Sequence, residues 1–147
     1  YDPRCPYCRK VLPDLDRLVA GEPGLKLVEK VIPVLGPNSQ LEAQALLAAN
    51  LQGGYMKLQH VMMNDSETPS MARIRTLAGS VGLNADRLER DMKSTAVASA
   101  VQDNLTLAQK VGVDGTPTFV IDEKMIIPGA ASADDLKNAL KAARSGR

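Results

Sequence analysis

Apolar positions keep two rhythms along this chain, a helical one over most of its length and an alternating one in shorter stretches. From Cys5 to Ala20, the residues Val11, Leu12, Leu15, Leu18 and Val19 recur at the spacing of an amphipathic helix. Pro6 fits its first turn. Pro13 falls inside it and cannot donate to the backbone of Arg9, so a kink is expected there. Glu22-Pro23-Gly24 breaks the chain, and "LKLVEKVIPVLG", Leu25 to Gly36, then alternates as a strand that should end near Pro33.

A run of helices follows. Ser39 and Glu42 have the spacing of a capping box ahead of Leu41 to Asn50, with Gly53-Gly54 as the stop. Thr68-Pro69 should open a helix carrying Met71, Ile74, Leu77 and Val81, closed by Gly82, and Asn84 can cap a short one through Leu88 and Met92. Ser94 or Thr95 opens a longer helix with the stripe Val97, Val101, Leu105, Ala108 and Val111, closed by Gly112. The alternating rhythm then returns. "TPTFVID", Thr116 to Asp122, reads as a strand, Glu123-Lys124 as a tight turn and "MIIP", Met125 to Pro128, as a returning strand. Ser132 and Asp135 start a last helix with Leu136, Ala139, Leu140 and Ala143. No internal repeat, low-complexity run or linker divides the chain.

Composition narrows the class. At 147 residues and 44% hydrophobic, the chain can bury one core and is expected to fold as one unit. Lys and Arg total 18 against 17 for Asp and Glu, so no net field draws nucleic acid, and none is expected as a partner. No apolar stretch reaches the length of a membrane span. The first residue is Tyr rather than Met, so any targeting segment is expected upstream.

The only two cysteines, Cys5 and Cys8, stand in "CPYC". A bridge between them closes too short a loop to staple a fold, so their role is chemical or incidental. At i and i+3 they share one helix face and can form and break a disulfide with little backbone movement. Cys5 lies at the helix start, where unpaired N–H groups and the positive dipole end favour a thiolate, which makes it the nucleophile. Cys8, a turn deeper, suits the resolving role. Arg4, Arg9 and Lys10 either add tuning charge or form a solvated face. A zinc site would need two more ligands, and the chain offers no further Cys and a single His, His60. Pro6 and Tyr7 read as an exposed helix start rather than a core. The second chemical feature is "GTPTF", Gly115 to Phe119, where Pro117 belongs at the beginning of a strand or where another chain approaches.

CPYC at a helix start, Thr-Pro before a strand, a closing hairpin and helix, and a helical block between the halves together resemble the DsbA-like branch of the thioredoxin fold. "KVIPVLGP" (Lys30 to Pro37), "GTPTFVI" (Gly115 to Ile121) and "IPGA" (Ile127 to Ala130) resemble segments of its Com1-like and ScsC-like bacterial members. Glutaredoxins share the CPYC motif, and "GAASADDL" faintly resembles their glutathione-binding segment, but they have no room for the helical block between Asn38 and Val111. The resemblance implies an α/β, thioredoxin-like fold with an inserted helical domain. Residues 1–37 and 112–147 would form its two thioredoxin-like parts, and residues 38–111 the insertion. It implies that Cys5 attacks and Cys8 resolves, that Pro117 is cis, and that Thr116 binds substrate backbone beside the active sulfur, with Pro6 and Tyr7 completing the motif. A strand leading into the CxxC helix at the sheet centre is expected by resemblance, yet only Tyr1 to Arg4 precede Cys5, so that first central strand is expected from upstream residues.

The implied activity is thiol-disulfide exchange with protein substrates that carry thiols or disulfides, in the bacterial periplasm, with a membrane redox partner and no cofactor or resident metal. Whether the chain acts as oxidant, isomerase or reductase, and in what oligomeric state, is not legible. The alternative from another class is a copper(I)-binding or copper-tolerance module using the same thiols, since soft thiolates hold Cu(I). His60, without a second ligand in view, reads as a packing or surface residue. The methionines Met56, Met62, Met63, Met71, Met92 and Met125 read as core filling, or as a groove for unfolded substrates.

Overall fold

The computed structural model describes residues 1–146. Seven helices and a hairpin follow one another as α1 (Pro6–Gly21), α2 (Pro37–Asn50), α3 (Tyr55–Met63), α4 (Met71–Ser80), α5 (Ala85–Met92), α6 (Thr95–Val111), β1 (Thr118–Ile121), β2 (Met125–Pro128) and α7 (Ala133–Ser145). The described chain is therefore mostly helical with a small two-stranded sheet.

Most boundaries follow from local chemistry. The side chains of Ser70, Asn84 and Ser94 each accept from the backbone N–H three residues on, capping α4, α5 and α6. Ser132 and Asp135 form a reciprocal capping box at α7. Helix α6 ends on Gly112 at φ 85°, a left-handed conformation that a side chain would strain. Helix α1 continues through Pro13 to Gly21.

Three expectations are corrected. Ser39 and Glu42 do not cap α2, which begins at Pro37 behind Gly36 at φ 99°. Both side chains turn into the protein instead. Leu25 to Gly36 is extended but is no strand among the described residues. Its alternation is nonetheless real, because Leu27, Glu29 and Val31 face inward while Lys26, Val28 and Lys30 face solvent. One parallel rung supports it: Tyr1 donates to the Lys30 carbonyl at 3.0 Å and accepts from the Ile32 N–H at 2.7 Å. The turn of the hairpin also lies one residue earlier than expected, with Asp122 and Glu123 at φ 53° and 59° and the Lys124 N–H donating to Ile121.

Three apolar clusters hold these elements. The largest joins α2 to α6 and Val31, with Leu46 of α2 at its centre fully buried beside Leu58, Met62, Ile74 and Leu88. Asn104 of α6 ties Val31 to this block by donating to its carbonyl at 3.0 Å. A second cluster joins Leu18 of α1, Ala131 in the loop before α7 and Leu136 of α7, with Phe119 and Ile127 of the hairpin against them. A third, small cluster holds Cys5, Cys8, Leu12 and Met63, and Tyr1 packs against both it and the largest one. Met62, Met63 and Met92 are core residues, whereas Met56 is exposed.

Candidate active site

Helix α1 starts immediately after Cys5, whose extended backbone (φ −70°, ψ 122°) makes it the N-cap, and Pro6 takes the first helical position, where no N–H is needed. The Cys5 N–H donates to the Asp2 carbonyl at 3.1 Å and its carbonyl accepts from Arg9 at 3.0 Å, so the main chain around the sulfur is fixed on both sides. The residues of the motif divide by exposure. Pro6 and Tyr7 face solvent, Tyr7 at 63%, while Cys5 and Cys8 are only 4% and 2% exposed. The expected exposed helix start therefore holds for the two middle residues and not for the thiols. Both thiols are free.

Thr116 and Pro117 come to the same place from the far end of the chain. The Thr116-Pro117 bond is cis, Pro117 is buried, and β1 begins at the next residue. The Cys5 thiol lies 3.5 Å from the Thr116 carbonyl oxygen, to which it donates. Burial alone would push the Cys5 thiol up. Hydrogen bonds to its sulfur from the Thr116 side chain, from the amides of Cys8 and Tyr7 and from the Cys8 thiol outweigh that effect, and Cys5 is held below the ordinary thiol value. Cys8 goes the other way. Burial pushes it up to about 11, a hydrogen bond from the Asp2 amide offsets part of the rise, and the neighbouring Cys5 sulfur adds to it. Two identical side chains one turn apart thus differ in acidity in the sense that separates an attacking from a resolving thiol.

The charges near the motif do not surround the sulfurs. Arg4 and Arg9 instead converge on Glu42, at 3.4 Å and 3.8 Å. Arg9 also donates to the carbonyls of Pro3, Asp65 and Met62, fastening α1 to the end of α3. Lys10 is exposed. Burial pushes the Glu42 carboxyl up against the pull of Arg4 and Arg9, and its Oε1 has no hydrogen-bond partner. Asp2 lies fully buried beside them.

Sequence reasoning passed over Asp2 and the partner of His60, and read Glu42 only as part of a helix cap. Glu42 could have been found, since it shares a face with Leu46 and Ala49 at i+4 and i+7 and is a charge inside an apolar stripe. His60 carries no such signal. Its Nε2 meets Asp16 of α1 at 2.7 Å and its Nδ1 the Met56 carbonyl at 2.7 Å. Among the described residues, no group of three or more His, Cys, Asp or Glu side chains is placed to hold a metal ion, and no helix is long and apolar enough to cross a membrane.

Comparison with known proteins follows the geometry. A thioredoxin-like oxidoreductase from Silicibacter pomeroyi is 34% identical, with a TM-score of 0.92 over 99% of this chain and 83% of that one. ScsC from Proteus mirabilis in a compact conformation is 26% identical, with a TM-score of 0.84 over 98% of this chain and 80% of that one. A periplasmic thioredoxin-like protein from Salmonella enterica serovar Typhimurium is 26% identical, with a TM-score of 0.84 over 99% and 81%. Among curated proteins, a Na(+)/H(+) antiporter NhaA from Salinispora tropica is 24% identical over 82% of this chain. That match takes in only 19% of the antiporter, so the chain spans about a fifth of the length of that relative. The DSBA-like thioredoxin domain matches residues 1–141. Coverage of nearly the whole sequence, together with the shared fold, means that this chain belongs to the DSBA-like thioredoxin domain family.

Proposed function

We propose that the chain exchanges disulfides with protein substrates, Cys5 entering the mixed disulfide and Cys8 resolving it. The observation that carries this reading is the placement of two free thiols one turn apart at the start of α1, with the Cys5 thiol 3.5 Å from the Thr116 carbonyl oxygen. In the reducing direction the Cys5 thiolate attacks a substrate disulfide and one substrate sulfur leaves as thiolate. Cys8 then gives up its proton and attacks Cys5, the bond from Cys5 to substrate breaks, and the second substrate sulfur leaves. Two electrons have passed to the substrate. The oxidising direction is the reverse sequence. The Thr116 carbonyl beside Cys5 and the buried Pro117 suit an extended substrate segment laid across the sulfur, and the exposed Pro6 and Tyr7 form its near rim.

The setting we infer is extracytoplasmic, with a membrane redox partner, by analogy with the periplasmic Salmonella relative. Residues 1–37 and 112–147 serve as the thioredoxin-like parts around a helical insertion at 38–111. The parallel rung between Tyr1 and the Lys30 to Ile32 stretch supports a strand running into α1 as part of the same sheet.

The deciding experiment equilibrates the protein in glutathione buffers and reads the potential of the Cys5/Cys8 pair. A value near about −120 mV marks a donor of disulfides, and one near about −270 mV a pair kept reduced for reduction or isomerisation. Cys5→Ser should abolish exchange; full activity in that variant sinks the reading. Copper(I) binding has one observation in its favour, the presence of Met63 in the same small buried cluster as the two cysteines. Exchange that persists under chelation, without tight Cu(I) binding, removes it.

A further inference from the structure

A β-turn leads into the CPYC segment. The Cys5 N–H donates to the Asp2 carbonyl at 3.1 Å across Pro3 and Arg4, with Pro in the second position, where its fixed φ favours such a turn. A lone β-turn is a weak constraint, and this one is held from outside. Asp2 has no solvent exposure. One of its carboxylate oxygens accepts from the Arg4 N–H inside the turn and from the Ser39 hydroxyl in the first turn of α2, both at 2.8 Å. The other accepts from the N–H groups of Val34 at 2.8 Å and Leu35 at 3.1 Å. Four donors face two oxygens, which suits a carboxylate and does not suit an amide. Arg9 holds the turn a second time, its Nε donating to the Pro3 carbonyl at 2.8 Å.

What the turn fixes is the place of Cys5. Its backbone is the N-cap of α1, its carbonyl accepts from the Arg9 N–H at 3.0 Å, and its thiol lies 3.5 Å from the Thr116 carbonyl oxygen. Cys8 on its own helix and the Tyr1 amino group face the sulfur electrostatically, Thr116 meets it from the loop before β1, and Leu12 and Met63 share its apolar cluster. The Arg4 guanidinium, the cation nearest in sequence, is taken up by Glu42 at 3.4 Å. A Cys5 thiolate therefore leans on the amide dipoles at the start of α1. Their effect falls off within one turn, so a small displacement of Cys5 weakens it.

We propose that Asp2 is a positioning residue for the attacking sulfur: its clamped carboxylate keeps the turn from Asp2 to Cys5 closed, and the closed turn holds Cys5 at the mouth of α1 beside Thr116. The inference rests on the exchange reading above, in which Cys5 attacks. Asp2 itself touches no reacting atom. It sets where the thiolate forms, and hence how much thiolate is present at a given pH. Through Ser39 the same carboxylate reaches α2, so a helix that carries neither cysteine takes part in placing the sulfur.

The test follows two signals of the reduced full chain across pH, the ultraviolet absorbance of the thiolate and the first release of thionitrobenzoate from dithiobis(nitrobenzoate). In that release a bond forms from the Cys5 sulfur to one probe sulfur, the probe disulfide breaks, and thionitrobenzoate leaves with the electron pair. Asp2→Asn keeps the volume but puts an NH2 group where only donors converge. The Cys5 midpoint should move to higher pH, and the thiolate present below it should fall about tenfold, the scale of one lost hydrogen bond to a charged group. The greater nucleophilicity of a more basic sulfur returns about threefold of this, so the first release slows about threefold. Leu46→Ala, which lowers stability in the large core without touching the clamp, should leave the midpoint in place. A midpoint unmoved in Asp2→Asn, or moved equally in Leu46→Ala, overturns the proposal and leaves Asp2 a residue of the fold alone. If Asp2→Asn does not fold, Ser39→Ala removes a single bond of the clamp and must raise the midpoint in smaller measure, or the proposal fails. A wild-type chain that releases no thionitrobenzoate overturns the exchange reading itself, while the thiolate absorbance still decides whether Asp2 places Cys5.

Discussion

At Cys5 the balance between burial and hydrogen bonding decides the chemistry. Four hydrogen bonds favour the thiolate, three of them from α1 itself and one from the Thr116 side chain. Iodoacetamide should therefore modify one thiol of the reduced protein with a midpoint below the ordinary thiol value of about 8.5, and Thr116→Ala should move that midpoint up. An unchanged midpoint in the variant would remove Thr116 from the tuning. Folding stability responds with opposite signs at the two thiols. Between the lowered Cys5 value and the ordinary one, the unfolded chain holds a proton that the folded chain lacks, so stability rises with pH. Above that, up to about 11, folded Cys8 keeps a proton that the unfolded chain has lost, and stability falls. The reduced protein should thus be most stable between these windows, relative to the oxidised form, which has neither thiol. Denaturant midpoints of the two forms across pH check this.

Between elements, α1 and α3 are joined by side chains that no periodicity reveals. His60 on α3 is held by the Met56 carbonyl and by Asp16 of α1, and its imidazolium is favoured above the ordinary histidine value, first by the Met56 hydrogen bond and then by Asp16. It is the single histidine, so one imidazole resonance titrates in an NMR experiment. Asp16→Asn should bring that titration back toward ordinary values, and no change would mean that the ion pair does not form in solution. A raised value stabilises the fold at pH below the unfolded histidine value, and the gain is lost as pH climbs through the folded value. With both side chains about a third or more exposed, the gain is small. This contact also marks how far the sequence was legible. The helices were readable because caps such as Ser94 and stops such as Gly112 act locally. The strand expected at Leu25 to Gly36 was misjudged because alternation records which side chains face inward, not whether a neighbour supplies hydrogen bonds. Of the site, CPYC and Thr-Pro were legible as motifs. The Asp2 clamp and the Arg4, Arg9 and Glu42 group were not, since each joins residues more than 30 positions apart.

At the scale of the molecule, the cysteine cluster is separate from a large helical core and from a smaller one made by α1, the hairpin and α7. Loss of a fully buried leucine side chain costs about 2–5 kcal/mol, so Leu46→Ala in the large core and Leu136→Ala in the small one should both lower the thermal midpoint. Only Leu136→Ala should speed hydrogen exchange in the hairpin and α7 ahead of the rest. Equal acceleration everywhere would mean that the two cores melt as one. The bond from Cys5 to Thr116 crosses 111 positions of sequence. A ribosome makes the chain from its amino end, so the CPYC segment emerges long before the loop that completes the tuning of Cys5. Until that loop is made the sulfur has only the hydrogen bonds of its own helix, and the contribution of Thr116 is added 111 positions later.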